Sequence, residues 1–115
     1  MEKVSGVCYG AFILRMDDAR RFVLPVALRE VFGEQSVCAT NLCIYADTQA
    51  WERKGGRSKI VMPLRIDRVW RTYIPLELRS YFTEKTVVLV WENDVLELWT
   101  KERWKEHLGE VIETA

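Results

Sequence analysis

The sequence predicts a mainly β fold with short helices, α+β in class, in which two internal repeats pair about a pseudo-twofold axis. Three observations carry this. The phrase "DDARRFVLPVALR" at 17–29 returns fifty residues later as "DRVWRTYIPLELR" at 67–79. Around each phrase lie short runs rich in Val, Ile, Leu and aromatic residues, of strand rather than helix length. Finally, 115 residues that are 49% hydrophobic, with five tryptophans, can fill one core. Half of that chain would bury little surface and leave its sheet edges open.

At the fifty-residue offset, ten of the 24 positions in 14–37 match 64–87, among them Asp17/Asp67, Arg21/Arg71, Pro25/Pro75, Leu28/Leu78 and Phe32/Phe82. Farther on, "LCIY" at 42–45 aligns with "LELW" at 96–99, and Trp51 with Trp104, the second copy having a longer hairpin that turns through Glu92, Asn93 and Asp94. The expected organisation is therefore a single compact domain, 1–115, with repeats at about 7–53 and 59–108 joined by a short linker, "KGGRS" at 54–58.

Each copy reads as strand, polar turn, strand, short helix, two strands and a closing helix. Strands are expected at about 7–14, 21–24, 37–40 and 42–46, and again at about 59–66, 71–74, 86–91 and 95–99. Pro25 and Pro75 fall where a strand ends and a helix begins, because proline fits the first helical turn and blocks a central strand. Leu28 with Phe32, and Leu78 with Phe82, have the spacing to face the core together. Gly33 is placed to stop the first short helix, while Asp47 and Thr100 suit the N-caps of the closing helices. Trp51 and Trp104 then become core anchors one turn inside those helices.

Charge narrows the function. The chain has 17 basic and 17 acidic residues, which speaks against a uniformly basic nucleic-acid binder. Yet windows 15–29 and 65–79 hold eight arginines, no lysine and four acids, a net +4 within a neutral chain. Arginine's planar fork matches phosphates and guanine edges. Candidate nucleic-acid contacts are Arg15, Arg20, Arg21, Arg65, Arg68 and Arg71, while Arg29 and Arg79 are as readily explained by pairing with nearby acids. Asp17 and Asp67, at strand ends, can cap the amides of their turns or pair with the arginine four residues on, fixing where it points.

Little points to an enzyme. One histidine, His107, reads as a solvated helix residue, and there is no phosphate loop, nucleophile elbow or metal-ligand spacing. No catalytic residue, cofactor or metal site is expected. Cys8, Cys38 and Cys43 lack a CxxC spacing and read as reduced thiols. No apolar run approaches the roughly 18 residues of a membrane span, no signal peptide is evident, and a cytoplasmic protein is expected.

The order Asp, three residues, Arg, an apolar-Pro pair and Leu-Arg resembles the swapped-hairpin barrel proteins of the AbrB and MraZ type, and its doubling within one chain resembles the MraZ family in particular. The ending "LELWTKERWKEHL" is similar to that family's strand and Trp-bearing helix, so the resemblance spans about residues 7–108. It implies a pseudo-twofold swapped-hairpin β-barrel. It also implies a nucleoid-associated, DNA-binding transcriptional regulator, tied in that family to promoter direct repeats ahead of cell-division genes. The resemblance likewise implies homo-oligomers, rings among them, that present the turns to double-stranded DNA. The other reading is an AbrB-like protein-interaction module, an antitoxin-like or regulatory partner with weak or no DNA binding. The family's glycine before the motif arginine is here Arg20 and Trp70. Since tryptophan adopts positive φ only at a cost, the second turn is expected to follow a different backbone path.

Overall fold

The computed structural model describes residues 9–54 and 61–114. Cys8, most of the expected linker and the first residues of the strand expected at 59–66 lie outside the described residues. Within them the chain is mostly β with a few short helices. Its strands are β1 (Tyr9–Arg15), β2 (Arg21–Val23), β3 (Val37–Ala39), β4 (Cys43–Tyr45), β5 (Val61–Pro63), β6 (Arg65–Ile66), β7 (Arg71–Tyr73), β8 (Thr86–Glu92) and β9 (Val95–Trp99). Short 3-10 segments, Val26–Leu28 and Leu76–Tyr81, follow Pro25 and Pro75, and the α-helices are α1 (Thr48–Arg53) and α2 (Lys101–Thr114).

The strands form two open sheets, which corrects the expectation of a closed barrel. A six-stranded sheet has the order β1-β8-β9-β4-β3-β5, and a three-stranded sheet the order β2-β7-β6. β1 and β5 sit at opposite edges of the larger sheet and do not pair, so the ladder never closes. The cause is a change of sheet: between β5 and β6 the chain crosses at buried Leu64, whose N–H donates to the Ser36 carbonyl at 3.0 Å. Pro63, which has no N–H to give, is tolerated because β5 is an edge strand.

Pairing is dominated by partners distant in sequence. β1 lies antiparallel to β8 from Tyr9↔Glu92 to Arg15↔Thr86, and β3 lies against β5. At the centre, β4 meets β9 through Cys43↔Glu97, and Leu98 N–H donates to the Leu42 carbonyl at 2.8 Å. Both sheets supply one core: Phe22, Leu24 and Ile74 from the strands of the small sheet and the residues just after them, and Ile44, Val87, Leu89, Leu96 and Leu98 from the large one. Leu28, Phe32, Leu78 and Phe82 are all buried, so the four-residue spacing does mark a core-facing pair in each copy.

Local signals account for several boundaries. Asp47 caps α1, its Oδ1 accepting from Ala50 N–H at 2.8 Å, and Thr100 Oγ1 accepts from Arg103 N–H at 3.1 Å at the start of α2. Trp51 packs on the core, and Trp104 meets Trp99 edge to face with 5.3 Å between centroids. His107 is exposed but stacks on Trp104 at 5.4 Å. The β8–β9 hairpin turns on Asn93 (φ 54°) and Asp94, with Glu92 still paired to Val95. Gly33 does not stop the first helical segment, which ends at Leu28; its N–H is bound instead by Ser36 Oγ at 2.9 Å in the following bend.

Candidate functional site

The small sheet places the motif residues. β2 and β7 run antiparallel with Arg21↔Tyr73, Phe22↔Thr72 and Val23↔Arg71, and β6 adds Arg65↔Tyr73. Residues opposite each other share a face and successive residues alternate. Phe22 (2% exposed) and Thr72 (0%) therefore face the core, and Arg21, Val23, Arg65, Arg71 and Tyr73 form the opposite, outward face. Three arginines from separate parts of the chain thus converge on one surface.

Each of the two strands is preceded by an Asp turn, and the two turns match bond for bond. Asp17 Oδ1 accepts from Ala19 N–H at 3.0 Å and Arg21 N–H at 2.9 Å, while its Oδ2 accepts from Arg21 Nε at 2.6 Å. Asp67 binds Val69 N–H, Arg71 N–H and Arg71 Nε at 3.0, 2.9 and 2.6 Å. The backbone N–H of Arg21, helped by its guanidinium and by Ala19 N–H, holds the Asp17 carboxyl below the usual carboxylate range. At Asp67, desolvation pushes upward, but the bonds from Arg71 and Val69 outweigh it, so that carboxyl too is lowered.

The second turn does not take a different path, which corrects the expectation from its sequence. Arg20 has φ 59° and Trp70 has φ 66°, both in the left-handed region. Their carbonyls serve equivalent ladder bonds, Ile74 N–H to Arg20 at 3.3 Å and Leu24 N–H to Trp70 at 2.9 Å. The cost of positive φ is offset by what each side chain reaches. Trp70 packs on the core with the Arg29 guanidinium 5.2 Å from its ring centroid. Arg20 sends Nε to the Phe82 carbonyl at 2.9 Å and Nη2 to that of Thr83 at 3.4 Å.

The remaining arginines divide into those turned inward and those on the surface. Arg20's bonds direct it to the loop after Phe82, away from the outward sheet face. Arg29 and Arg79 pair with no acid among the described residues; each donates Nε to a carbonyl five residues back, of Leu24 at 2.9 Å and Ile74 at 3.0 Å, bracing the chain around its proline. Arg15 is exposed at the end of β1, opposite Thr86 in the other sheet. Arg68 is exposed at the tip of the second turn, beside a cleft of about 490 Å³ that Trp70, Arg29, Glu30 and Glu34 also line. At the first turn, Lys85 pairs with Asp18 and holds its carboxyl below the ordinary value.

One residue was not singled out from the sequence. Tyr73 receives a hydrogen bond from Arg21 Nη1 at 3.3 Å, and its ring lies beneath the Arg65 guanidinium, 4.3 Å from the centroid, with that of Arg21 at 5.4 Å. The Tyr73 hydroxyl, followed by Asp17, raises the Arg21 pKa above its ordinary value. In the first copy the corresponding residue is Val23, half exposed at 51%. Among the described residues no cluster of metal-binding side chains occurs.

Comparison with known proteins finds a family match. The family described as "MraZ protein, putative antitoxin-like" matches residues 63–114, the second copy. Similarity to curated proteins extends farther. The protein named Transcriptional regulator MraZ from Treponema pallidum (strain Nichols) is 26% identical, covering 88% of this chain and 84% of that protein. Its namesake from Clostridium botulinum (strain Alaska E43 / Type E3) is 28% identical, covering 85% and 84%. That from Moorella thermoacetica is 26% identical, covering 88% and 86%. In its second copy by the family match, and along most of its length by these proteins, the chain is similar to the MraZ family.

Proposed function

We propose that the chain is a transcription regulator that binds double-stranded DNA as a homo-oligomer through the arginine face of its small sheet. The observation that carries the reading is the convergence of Arg21, Arg65 and Arg71 on that face, two of them oriented by carboxylates at 2.6 Å. Arginines fixed on a narrow β surface suit a groove and the phosphates that flank it, and exposed neighbours such as Arg15 and Arg68 suit phosphates farther along. The curated relatives are named as transcriptional regulators rather than enzymes, which supports the same reading. Few arginines per protomer give weak binding, so useful affinity comes from several protomers on repeated promoter sites. Such a protein works in the cytoplasm at the nucleoid; no helix among the described residues is long and apolar enough to cross a membrane.

A duplex carrying promoter direct repeats tests this by fluorescence anisotropy. If each protomer neutralises two or three phosphates, affinity per protomer falls about 12- to 40-fold between 50 and 200 mM salt. Arg21→Ala and Arg71→Ala weaken binding; unchanged affinity in both removes the face from the mechanism. The protein-interaction reading is favoured by one feature, the exposure of Val26 (73%) and Leu76 (74%) beside the two prolines. Copurification of a partner protein without any DNA retardation decides for it.

A further inference from the structure

Two turns that match in backbone leave their arginines unequally equipped. A guanidinium has five N–H donors, one on Nε and two on each terminal nitrogen. In both turns the Asp takes Nε. Arg21 also commits Nη1 to the Tyr73 hydroxyl, and its side chain is 26% exposed. Arg71 stands opposite Val23, whose side chain has no polar atom to offer; neither terminal nitrogen of Arg71 is hydrogen-bonded among the described residues, and its side chain is 44% exposed. Reading guanine end-on needs both terminal nitrogens in one plane, toward N7 and O6. Arg71 can turn that pair freely to a base, whereas the Tyr73 hydroxyl takes one of the two Nη1 N–H bonds of Arg21 and ties its fork to the sheet. Arg65, stacked on the same tyrosine ring, is fixed beside Arg21 and adds a second cation there.

We propose that the two turns divide the work of DNA recognition: Arg71 reads a base in the groove, Arg21 and Arg65 grip phosphate, and Tyr73 against Val23 decides which turn does which. This rests on the DNA-binding reading above. The pseudo-symmetric scaffold then acts asymmetrically, with one cross-strand position setting the direction in which a protomer lies on its site. Tyr73 is a positioning residue in this scheme, and Arg71 the specificity-determining one.

The test uses the full chain and two duplexes of equal length, one selected by the wild-type protein from a randomised library and one with its bases scrambled. Affinities are measured at several salt concentrations, and circular dichroism melts verify folding. Arg71→Lys keeps the charge but loses the fork. It is expected to cut the selected-to-scrambled affinity ratio by about 5- to 150-fold and leave the salt slope unchanged. Arg21→Ala is expected to weaken both duplexes by one common factor and to lower the salt slope by about one. Val23→Tyr gives Arg71 the brace that Arg21 has, and should reproduce the loss of ratio with no charge removed. Equal effects of the two arginine variants on ratio and slope, or relaxed specificity in Arg21→Ala alone, overturn the division. If the wild-type protein selects no duplex, the DNA-binding reading itself fails and takes the division with it.

Discussion

Trp70→Gly restores the small residue that the turn's backbone invites, and two opposing effects decide its outcome. Glycine removes the penalty of a left-handed conformation, about 1–2 kcal/mol. It also deletes an indole packed on the core, and a tryptophan burying about 150 Å² at 25 cal/mol per Å² contributes up to about 4 kcal/mol. Loss of the Arg29 contact, 5.2 Å from the ring centroid, adds about 0.5–1 kcal/mol. Packing therefore wins, and Trp70→Gly should destabilise the protein by about 2 kcal/mol or more. In urea, with a slope of about 1–3 kcal/mol/M, the unfolding midpoint should fall by roughly 1 M. Arg20→Gly is the internal control: there relief of about 1–2 kcal/mol meets the loss of two part-exposed hydrogen bonds at about 0.5–1.5 kcal/mol each, giving little net change. A Trp70→Gly protein as stable as wild type or more so would refute the claim that the indole's packing sustains the strained turn.

Other expectations follow from the same geometry. Because the Asp17 and Asp67 carboxyls are lowered in the folded state, their contribution is complete above the unfolded carboxylate range and is lost as pH falls through their folded values. Melting temperature should drop below about pH 4, and Asp17→Asn with Asp67→Asn should flatten that acid limb; an unchanged limb would place the acid sensitivity elsewhere. Phe22, buried directly behind the arginine face, should cost about 3–5 kcal/mol on mutation to alanine in a urea titration, and a cost under about 1 kcal/mol would mean that the small sheet does not close the core. Asp47→Ala removes the cap of α1 and should cost about 1 kcal/mol, measured in the same way.

What the sequence made legible was local. The Asp-to-Arg bond spans four residues, the Leu28/Phe32 and Leu78/Phe82 pairs sit one helical turn apart, and the Asp47 cap reaches three residues, so each is written in a short window. What it hid depends on partners far along the chain. Whether Arg20 and Trp70 can hold positive φ is decided by the carbonyls of Phe82 and Thr83 and by Arg29. The importance of Tyr73 depends on the register that sets it opposite Arg21, which no motif encodes. Arg29 and Arg79 looked like partners for acids because charge is visible in a sequence; their bonds to the carbonyls of Leu24 and Ile74 follow from how the chain turns at each proline. The openness of the larger sheet reflects where the backbone changes layers, at a residue, Leu64, that reads as any other buried leucine.

The pairing of β1 with β8 has a consequence for how the protein is made. Tyr9 finds its partner only at Glu92. At a synthesis rate of about 5–20 residues per second, the first strand spends roughly 4–16 s on the ribosome before its ladder can form. During that interval the nascent chain comes to hold β3, β4 and β5 but not β8 and β9, which stand between β1 and β4, so the amides and carbonyls of β1 and of the free edge of β4 are open to stray strands. Contacts this remote also place folding among the slower topologies, on the order of milliseconds to seconds. Ribosome-bound chains arrested before residue 86 should thus be cleaved readily by protease, and chains released in full should not; equal resistance in both would show that the first copy acquires structure before its partner exists.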